Sequence, residues 1–155
     1  MEQEDDELAV FNKRVESLSA EIHHNIGCVA TETNDPAGAL RHFTVFNTLV
    51  ANELKGTKGA NKFLEKKLAI SLNELGIAYM MNKAWEDAAN CFLEAVRIME
   101  SVDVSATELK SLPLANLGLA CWLMGDHLKE ADDVLISALA DREVKYGPND
   151  RESFM

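Results

Sequence analysis

The sequence predicts an all-α fold, a right-handed solenoid of three helical hairpins with about six helices, the first of them extended. Apolar residues recur at helical spacing through most of the chain. One arrangement of small and large residues occurs three times. The 155 residues are 47% hydrophobic and 26% charged and include only three prolines, which is typical of a globular, helix-rich chain.

The clearest hairpin lies within residues 69–100. Its first apolar face has members at i, i+3, i+4 and i+7, namely Leu72, Leu75, Gly76 and Tyr79. Its second face consists of Ala88, Phe92 and Ala95. Because Gly76 and Ala88 carry almost no side chain, the two helix axes can approach closely there. Tyr79 and Phe92 then fill the space beside that contact.

The same arrangement occurs upstream and downstream. The upstream copy contains Ile26, Gly27, Ala39, Phe43 and Phe46. The downstream copy contains Leu114, Leu117, Gly118, Ala131, Leu135 and Ala138. The glycine precedes its alanine by 12, 12 and 13 residues, and the three glycines are separated by 49 and 42 residues. A regular internal period of this kind is the signature of a solenoid.

These residues resemble the tetratricopeptide repeat (TPR), whose common period is about 34 residues. The chain departs from that pattern with Ala30 and Cys121 at the aromatic position and with no proline closing a repeat. The segment 138–150 is similar to the end of a kinesin-light-chain-type repeat, through Arg142-Glu143 and the turn Gly147-Pro148-Asn149-Asp150. The 42-residue spacing agrees with the longer period of that subtype.

The domain organisation follows from the repeats. We expect an acidic tail at 1–6, a TPR domain at 7–147 with repeats at about 20–55, 69–102 and 111–146, and a C-terminal tail at 148–155. The predicted helices run over 7–31, 36–55, 60–81, 84–101, 106–124 and 127–146. Asp6 and Asp35 are predicted N-caps, and Pro113 favours a start of the fifth helix near Ser111. The first helix carries one apolar stripe: Leu8, Phe11, Val15, Leu18, Ile22, Ile26 and Val29. Its second half is the first helix of the first repeat, and its first half, which extends beyond that repeat, is expected to lie against the following helices.

Charge and composition limit the classes of molecule that the protein is expected to bind. The net charge of −11 disfavours nucleic acids and anionic membranes and suits a basic or neutral protein or peptide. No apolar run approaches the length of a membrane span, and the acidic start is unlike a signal peptide. Three cysteines without a CxxC spacing predict reduced thiols and a cytoplasmic protein.

The TPR resemblance implies a concave groove lined by the first helix of each hairpin. The predicted groove residues are His24, Asn25, Cys28, Thr31, Asn73, Ile77, Met80, Met81, Asn116, Leu119, Trp122 and Leu123. A column of Asn amides could pair with a peptide backbone, or it could bridge adjacent helices. The large apolar residues could form a floor for a ligand side chain, or they could pack against the next repeat.

The predicted function is a non-enzymatic adaptor that needs no metal or cofactor. Of the neighbours His23 and His24, one is expected to face solvent, and His42 is expected at the surface. His24 and Cys28 lie four apart, but no metal-ligand spacing accompanies them. The predicted groove positions contain no Lys or Arg, which argues against a site that binds the terminal carboxylate of a peptide. Two alternatives stay open: a small-molecule-binding or cofactor-free catalytic protein, and self-assembly through an uncapped C-terminal repeat that exposes Val134 and Ile136.

Overall fold

The computed structural model describes residues 1–102, 107–125 and 136, without the side chains of 107–110. Within these residues the chain forms helices and no strands, which confirms the predicted all-α class. The helices are α1 (Glu2–Glu32), α2 (Pro36–Lys55), α3 (Lys62–Met81), α4 (Trp85–Val102) and α5 (Thr107–Met124). The predicted helix over 127–146 and the C-terminal tail lie outside the described residues, apart from the helical and exposed Ile136.

The helices pack consecutively, each against the next one in the chain. In the hairpin α1–α2, Gly27 is buried against the ring of Phe43, and a Cβ atom at Gly27 would overlap that ring. In the hairpin α3–α4, Gly76 stands in the same relation to Phe92. The two glycines therefore mark equivalent points, as the repeat pattern predicts. The described residues do not include Leu135, the predicted counterpart in the third repeat.

The turns repeat the same geometry. The residue seven positions after each repeat glycine has a left-handed backbone: Asn34 with φ 56°, Lys83 with φ 60° and Gly125 with φ 76°. Asn and Gly tolerate this conformation well, whereas Lys adopts it at some cost. Asn82, beside Lys83, donates through Nδ2 to the carbonyl of Pro36 at 2.9 Å and so ties the second turn to the start of α2.

Helix α3 docks on α2 and joins the two hairpins. Leu75 and Ala78 are buried in one cluster with Phe46 and Val50. Ser71 is fully buried, and its hydroxyl donates to the carbonyl of Leu68 and accepts from Asn47 of α2. The polar group at this joint is therefore satisfied, as buried polar groups must be to avoid a desolvation cost.

The helix ends agree with the sequence where a local signal specifies them. Helix α2 has the predicted bounds, and the Asp35 carboxylate accepts the Gly38 N–H at 3.1 Å. Helix α5 begins at Thr107, so the predicted start near Ser111 is wrong and Pro113 lies inside the helix. Within the described residues, no helix combines the length and the apolar character needed to cross a membrane.

Helix α1 differs from the sequence prediction in two ways. It begins at Glu2 with Met1 as N-cap, so Asp6 is an interior residue and not a cap. Its apolar stripe is exposed over its whole length. From Ala20 onward α1 packs on α2 through the opposite face, with Ala20, Gly27 and Ala30, whereas residues 1–16 are all exposed. The expectation that the first half of this helix lies against the following helices is therefore wrong.

The histidines of α1 were also placed wrongly. His23 and His24 are both half-buried, and His23 stacks on His42 of α2 with Nδ1 atoms 2.9 Å apart. Burial, then the charge of Arg41 and then His23 lower the pKa of the His42 imidazole. His42 is thus a half-buried contact of the first hairpin and not a free surface residue.

The lowered pKa of His42 predicts a loss of stability in mild acid. As pH falls below the ordinary His pKa of about 6.5, the unfolded chain binds a proton that the folded chain resists, so folding becomes less favourable. The melting temperature should fall between about pH 7.5 and pH 5.5, and His42→Gln should reduce that fall. An equal fall in both proteins, measured by circular dichroism, would contradict this role for His42.

The Gly76–Phe92 contact predicts that Gly76→Ala destabilises the fold. The added methyl group gains about 1 kcal/mol of helix propensity, but overpacking a fully buried ring costs about 1–3 kcal/mol. We expect a net loss of about 1 kcal/mol in urea unfolding. Gly56→Ala is the matched control, because its Cβ would lie at an ordinary 3.6 Å from the nearest atoms and its φ is −76°. Equal effects of both substitutions would contradict the interlocking contact.

Candidate functional site

The first helices of successive repeats are joined by polar side chains in one repeated register. His24 Nε2 lies 2.8 Å from Glu74 Oε1 and links α1 to α3. The Asn116 amide donates to Asn73 Oδ1 at 3.1 Å and links α5 to α3. His24 and Asn73 each lie three residues before a repeat glycine. Their partners, Glu74 and Asn116, each lie two residues before the next repeat glycine. We call these four residues the polar ladder.

Glu74 is the chemically unusual member of the polar ladder. Its side chain is only 22% exposed, and the buried Oε2 atom has no hydrogen-bond partner among the described residues. Burial raises the pKa of Glu74, while the hydrogen bond and the charge of His24 act in the opposite direction. An unpaired buried carboxylate oxygen is costly, so this atom favours any ligand that offers an N–H group or a positive charge.

Two depressions meet at Glu74. The depression on the α1 side has a volume of about 210 Å³ and is lined by Cys28, Thr31, Glu32, Phe43, Glu74 and Ile77. The depression on the α5 side has a volume of about 260 Å³ and is lined by Ala69, Ile70, Asn73, Glu74, Met99, Leu112 and Pro113. Both have mainly apolar walls. The site therefore offers two places for apolar groups on either side of one carboxylate.

Cys28 faces the same centre but is a poor nucleophile. Its Sγ atom lies 3.6 Å from His24 Nε2. Burial, then the charges of Glu74 and Glu32, raise the pKa of the Cys28 thiol above its ordinary value. Because the thiolate is the reactive form, the contact with His24 does not produce an activated pair here.

The ligand atoms of His24, Cys28 and Glu74 lie within 4.8 Å of one another, so these residues could together hold a metal ion. A metal-bound His usually donates its second ring nitrogen to a fixed partner. For His24, the described residues supply no such partner, and the ring packs instead on Phe46 with centroids 4.7 Å apart. The hydrogen bond from His24 to Glu74 accounts for the same geometry without an ion.

The predicted groove residues divide into two groups. The half-buried group consists of His24, Cys28, Thr31, Asn73, Ile77, Met80, Met81 and Asn116. The exposed group consists of Asn25, Leu119, Trp122 and Leu123. Ile77 and Met80 pack against a buried cluster that includes Leu117 of α5. This contact agrees with the alternative in which the large apolar residues pack against the next repeat and do not form a floor for a ligand. Trp122 remains 54% exposed at the end of α5.

Sequence reasoning missed Glu74, although a signal for it was present. Asn25 and Asn116 were aligned because each lies two residues before its glycine, and Glu74 occupies that position in the middle repeat. At this position Glu74 is the single charged residue, between the amides Asn25 and Asn116, and that difference identifies it as unusual. Its pairing with His24, 50 residues away, depends on the stacking of the two hairpins.

The Asn73–Asn116 contact predicts a measurable coupling between α3 and α5. Each single change to Ala should cost about 1 kcal/mol of unfolding free energy, and the double change should cost less than the sum, with a coupling of about 0.5–1.5 kcal/mol. Asn25→Ala is the matched control, because Asn25 is exposed. Strict additivity in a double-mutant cycle, measured by urea unfolding, would show that the two amides do not act as a pair.

Comparison with known proteins identifies one region. Residues 68–102, which contain most of α3 and all of α4, match the family model of the tetratricopeptide repeat. No curated protein and no solved structure matches the chain. The match coincides with the hairpin in which Gly76 faces Phe92, so the sequence similarity and the close helix contact concern the same segment.

Proposed function

We propose that the chain is a non-catalytic adaptor that binds a segment of another protein on the concave face of three stacked hairpins. Tetratricopeptide repeats generally mediate protein–protein interaction and are typically not enzymes. The observation that carries the proposal is Glu74 itself, which lines two mainly apolar depressions and whose buried Oε2 atom has no hydrogen-bond partner among the described residues. A protein segment can supply both a donor for this atom and apolar side chains for its surroundings.

The third hairpin of this proposal has support within α5. Leu117 and Gly118 are buried, and Ala120 belongs to the cluster around Phe92. Gly125 has the left-handed turn conformation seven residues after Gly118, as Asn34 and Lys83 have after their glycines. We therefore propose that α5 is the first helix of a third hairpin.

The site favours a partner segment with a Lys or Arg next to apolar residues. The Glu74 carboxylate provides local negative charge, and the net charge of −11 attracts cations over a longer range. A Lys or Arg side chain can satisfy Oε2 through a charge-assisted hydrogen bond. Leu119, Trp122 and Leu123 add exposed apolar surface at one end of the same face. The same negative charge opposes a nucleic acid.

A small molecule is the weaker alternative for this site. The depressions of about 210 and 260 Å³ are each smaller than the about 300–1,000 Å³ of ordinary small-molecule pockets. Each is suited to one or two side chains of a peptide. Catalysis through Cys28 is disfavoured, because the raised pKa keeps the thiol protonated near neutral pH.

A peptide-library selection against the full chain tests this proposal. We expect enrichment of sequences with Lys or Arg beside an apolar residue, and Glu74→Gln should weaken the selected peptides about tenfold or more. Gln keeps the shape of Glu and can still accept a hydrogen bond from His24, so the fold should be retained. Stability should not fall, because the raised pKa shows that the folded environment disfavours the charged carboxylate.

Glu94→Gln on the surface of α4 is the matched control, because it removes the same charge at an exposed position that lines neither depression. Its only described contact is a 3.9 Å approach to Arg97, which contributes little. The selection should be repeated with a chelator and with Zn²⁺ to separate peptide binding from metal binding. Enrichment of acidic peptides, or equal affinities for Glu74→Gln and Glu94→Gln, would refute the proposal.

A further inference from the structure

The exposed stripe of α1 is an extended apolar feature of the described surface that the concave site does not use. Seven large side chains follow one line along the helix: Leu8, Phe11, Val15, Leu18, Ile22, Ile26 and Val29. Phe11, Leu18 and Ile22 are 62%, 60% and 57% exposed. At about 100 Å² each, the seven expose on the order of 700 Å². Monomeric proteins rarely leave so large a continuous apolar patch in water.

The corresponding face of α3 shows what such a stripe does in this fold. Ile22, Ile26 and Val29 lie at the same distances from Gly27 as Ser71, Leu75 and Ala78 lie from Gly76. In α3, those three residues are buried, and they contact α2. The stripe of α1 is therefore a helix-docking face to which no described helix is docked.

The sequence of the stripe has the heptad spacing of a coiled coil. Leu8, Val15, Ile22 and Val29 occupy successive a positions, and Phe11 and Leu18 occupy the first two d positions between them. The third d position is Asn25, and the apolar residue there moves to the neighbouring e position, Ile26. The heptad spacing over residues 8–22 matches a second helix at a small crossing angle. The stripe thus favours one long helix as its occupant over an extended peptide.

We propose that the occupant is α1 of a second copy of this chain, paired antiparallel about a two-fold axis between residues 16 and 17. This register places Val15 against Leu18 and Phe11 against Ile22 of the second copy, so large apolar residues meet in four layers. At the two ends of this register Leu8 meets Asn25 and Val29 meets Glu4, so the interface has an apolar centre and polar ends. The about 700 Å² that the stripe exposes per copy is therefore the upper bound of its apolar contribution, against the about 800 Å² per partner of a standard stable interface. Two-fold symmetric dimers are also the commonest oligomers.

Charge supports the antiparallel direction. In this register Arg14 and Glu21 occupy facing g positions, so each copy forms one Arg14–Glu21 pair with the other. A parallel pairing would place neutral Ser19 opposite Arg14 and would bring together the acidic residues 4–7 of both copies. The antiparallel pairing separates those acidic ends by about 30 Å, well beyond the Debye length of about 8 Å at physiological salt.

Sedimentation equilibrium of the full chain, from about 1 μM to about 1 mM, tests this dimer. Leu18→Glu should weaken it at least about 100-fold, because each dimer loses two buried Leu side chains. Ala9→Glu, which adds the same charge to α1 at an exposed position off the stripe, is the matched control. Leu18 is exposed in the single chain, so circular dichroism should show an unchanged fold.

A charge exchange tests the partner and its direction together. Arg14→Glu and Glu21→Arg should each weaken the dimer about tenfold, and the double variant should restore it, because each facing pair again joins opposite charges. A monomer at every concentration, an effect of Leu18→Glu no larger than that of Ala9→Glu, or no restoration in the double variant would each overturn the proposed pairing. A helix of another protein would be the occupant if the chain is monomeric yet binds an unrelated partner through Leu18.

Discussion

The contact between a glycine of one helix and a phenylalanine ring of the next determines the geometry of both described hairpins. Gly27 faces Phe43 and Gly76 faces Phe92, and each ring occupies the space where a Cβ atom would otherwise lie. The two helix axes can therefore approach more closely than helices with larger side chains at the contact. The left-handed turn residue seven positions later then returns the chain at a fixed distance from this contact. These contacts and turns set which residues of neighbouring helices lie opposite one another.

The polar ladder is one consequence of that register. Helices α1, α3 and α5 each carry a glycine at the same position relative to these contacts. His24 and Asn73 lie three residues before their glycines, and they meet Glu74 and Asn116, which lie two residues before theirs. Equivalent backbone positions thus carry an ionisable pair between α1 and α3 and a neutral amide pair between α3 and α5. Replacing an amide by a buried carboxylate costs desolvation energy. A positively charged ligand would offset that cost, and ionisable groups with a perturbed pKa in a cleft are often functional.

The sequence was sufficient for features that depend on neighbouring residues. Asp35 followed by Pro36 fixed the start of α2, and the small and large residues around Gly27 and Gly76 identified the two hairpins. Features that depend on which helices pack together could not be predicted from the sequence. The bond between His24 and Glu74 required the stacking of separate hairpins, and the burial of His42 required its contact with His23. Pro113 was expected near a helix start, yet α5 accommodates it in its interior.

The exposed stripe of α1 marks a more general limit of sequence patterns. Amphipathicity shows that one face of a helix should be buried, but it does not identify the surface that buries it. In α1, small residues on the opposite face pack on α2, since Gly27 is needed against Phe43, and the larger apolar residues are left pointing outward. A helix of a repeat protein that faces water usually has a polar outer face. The outer face of α1 is apolar, as in an interior helix, and such a face is stable in water only when another helix covers it.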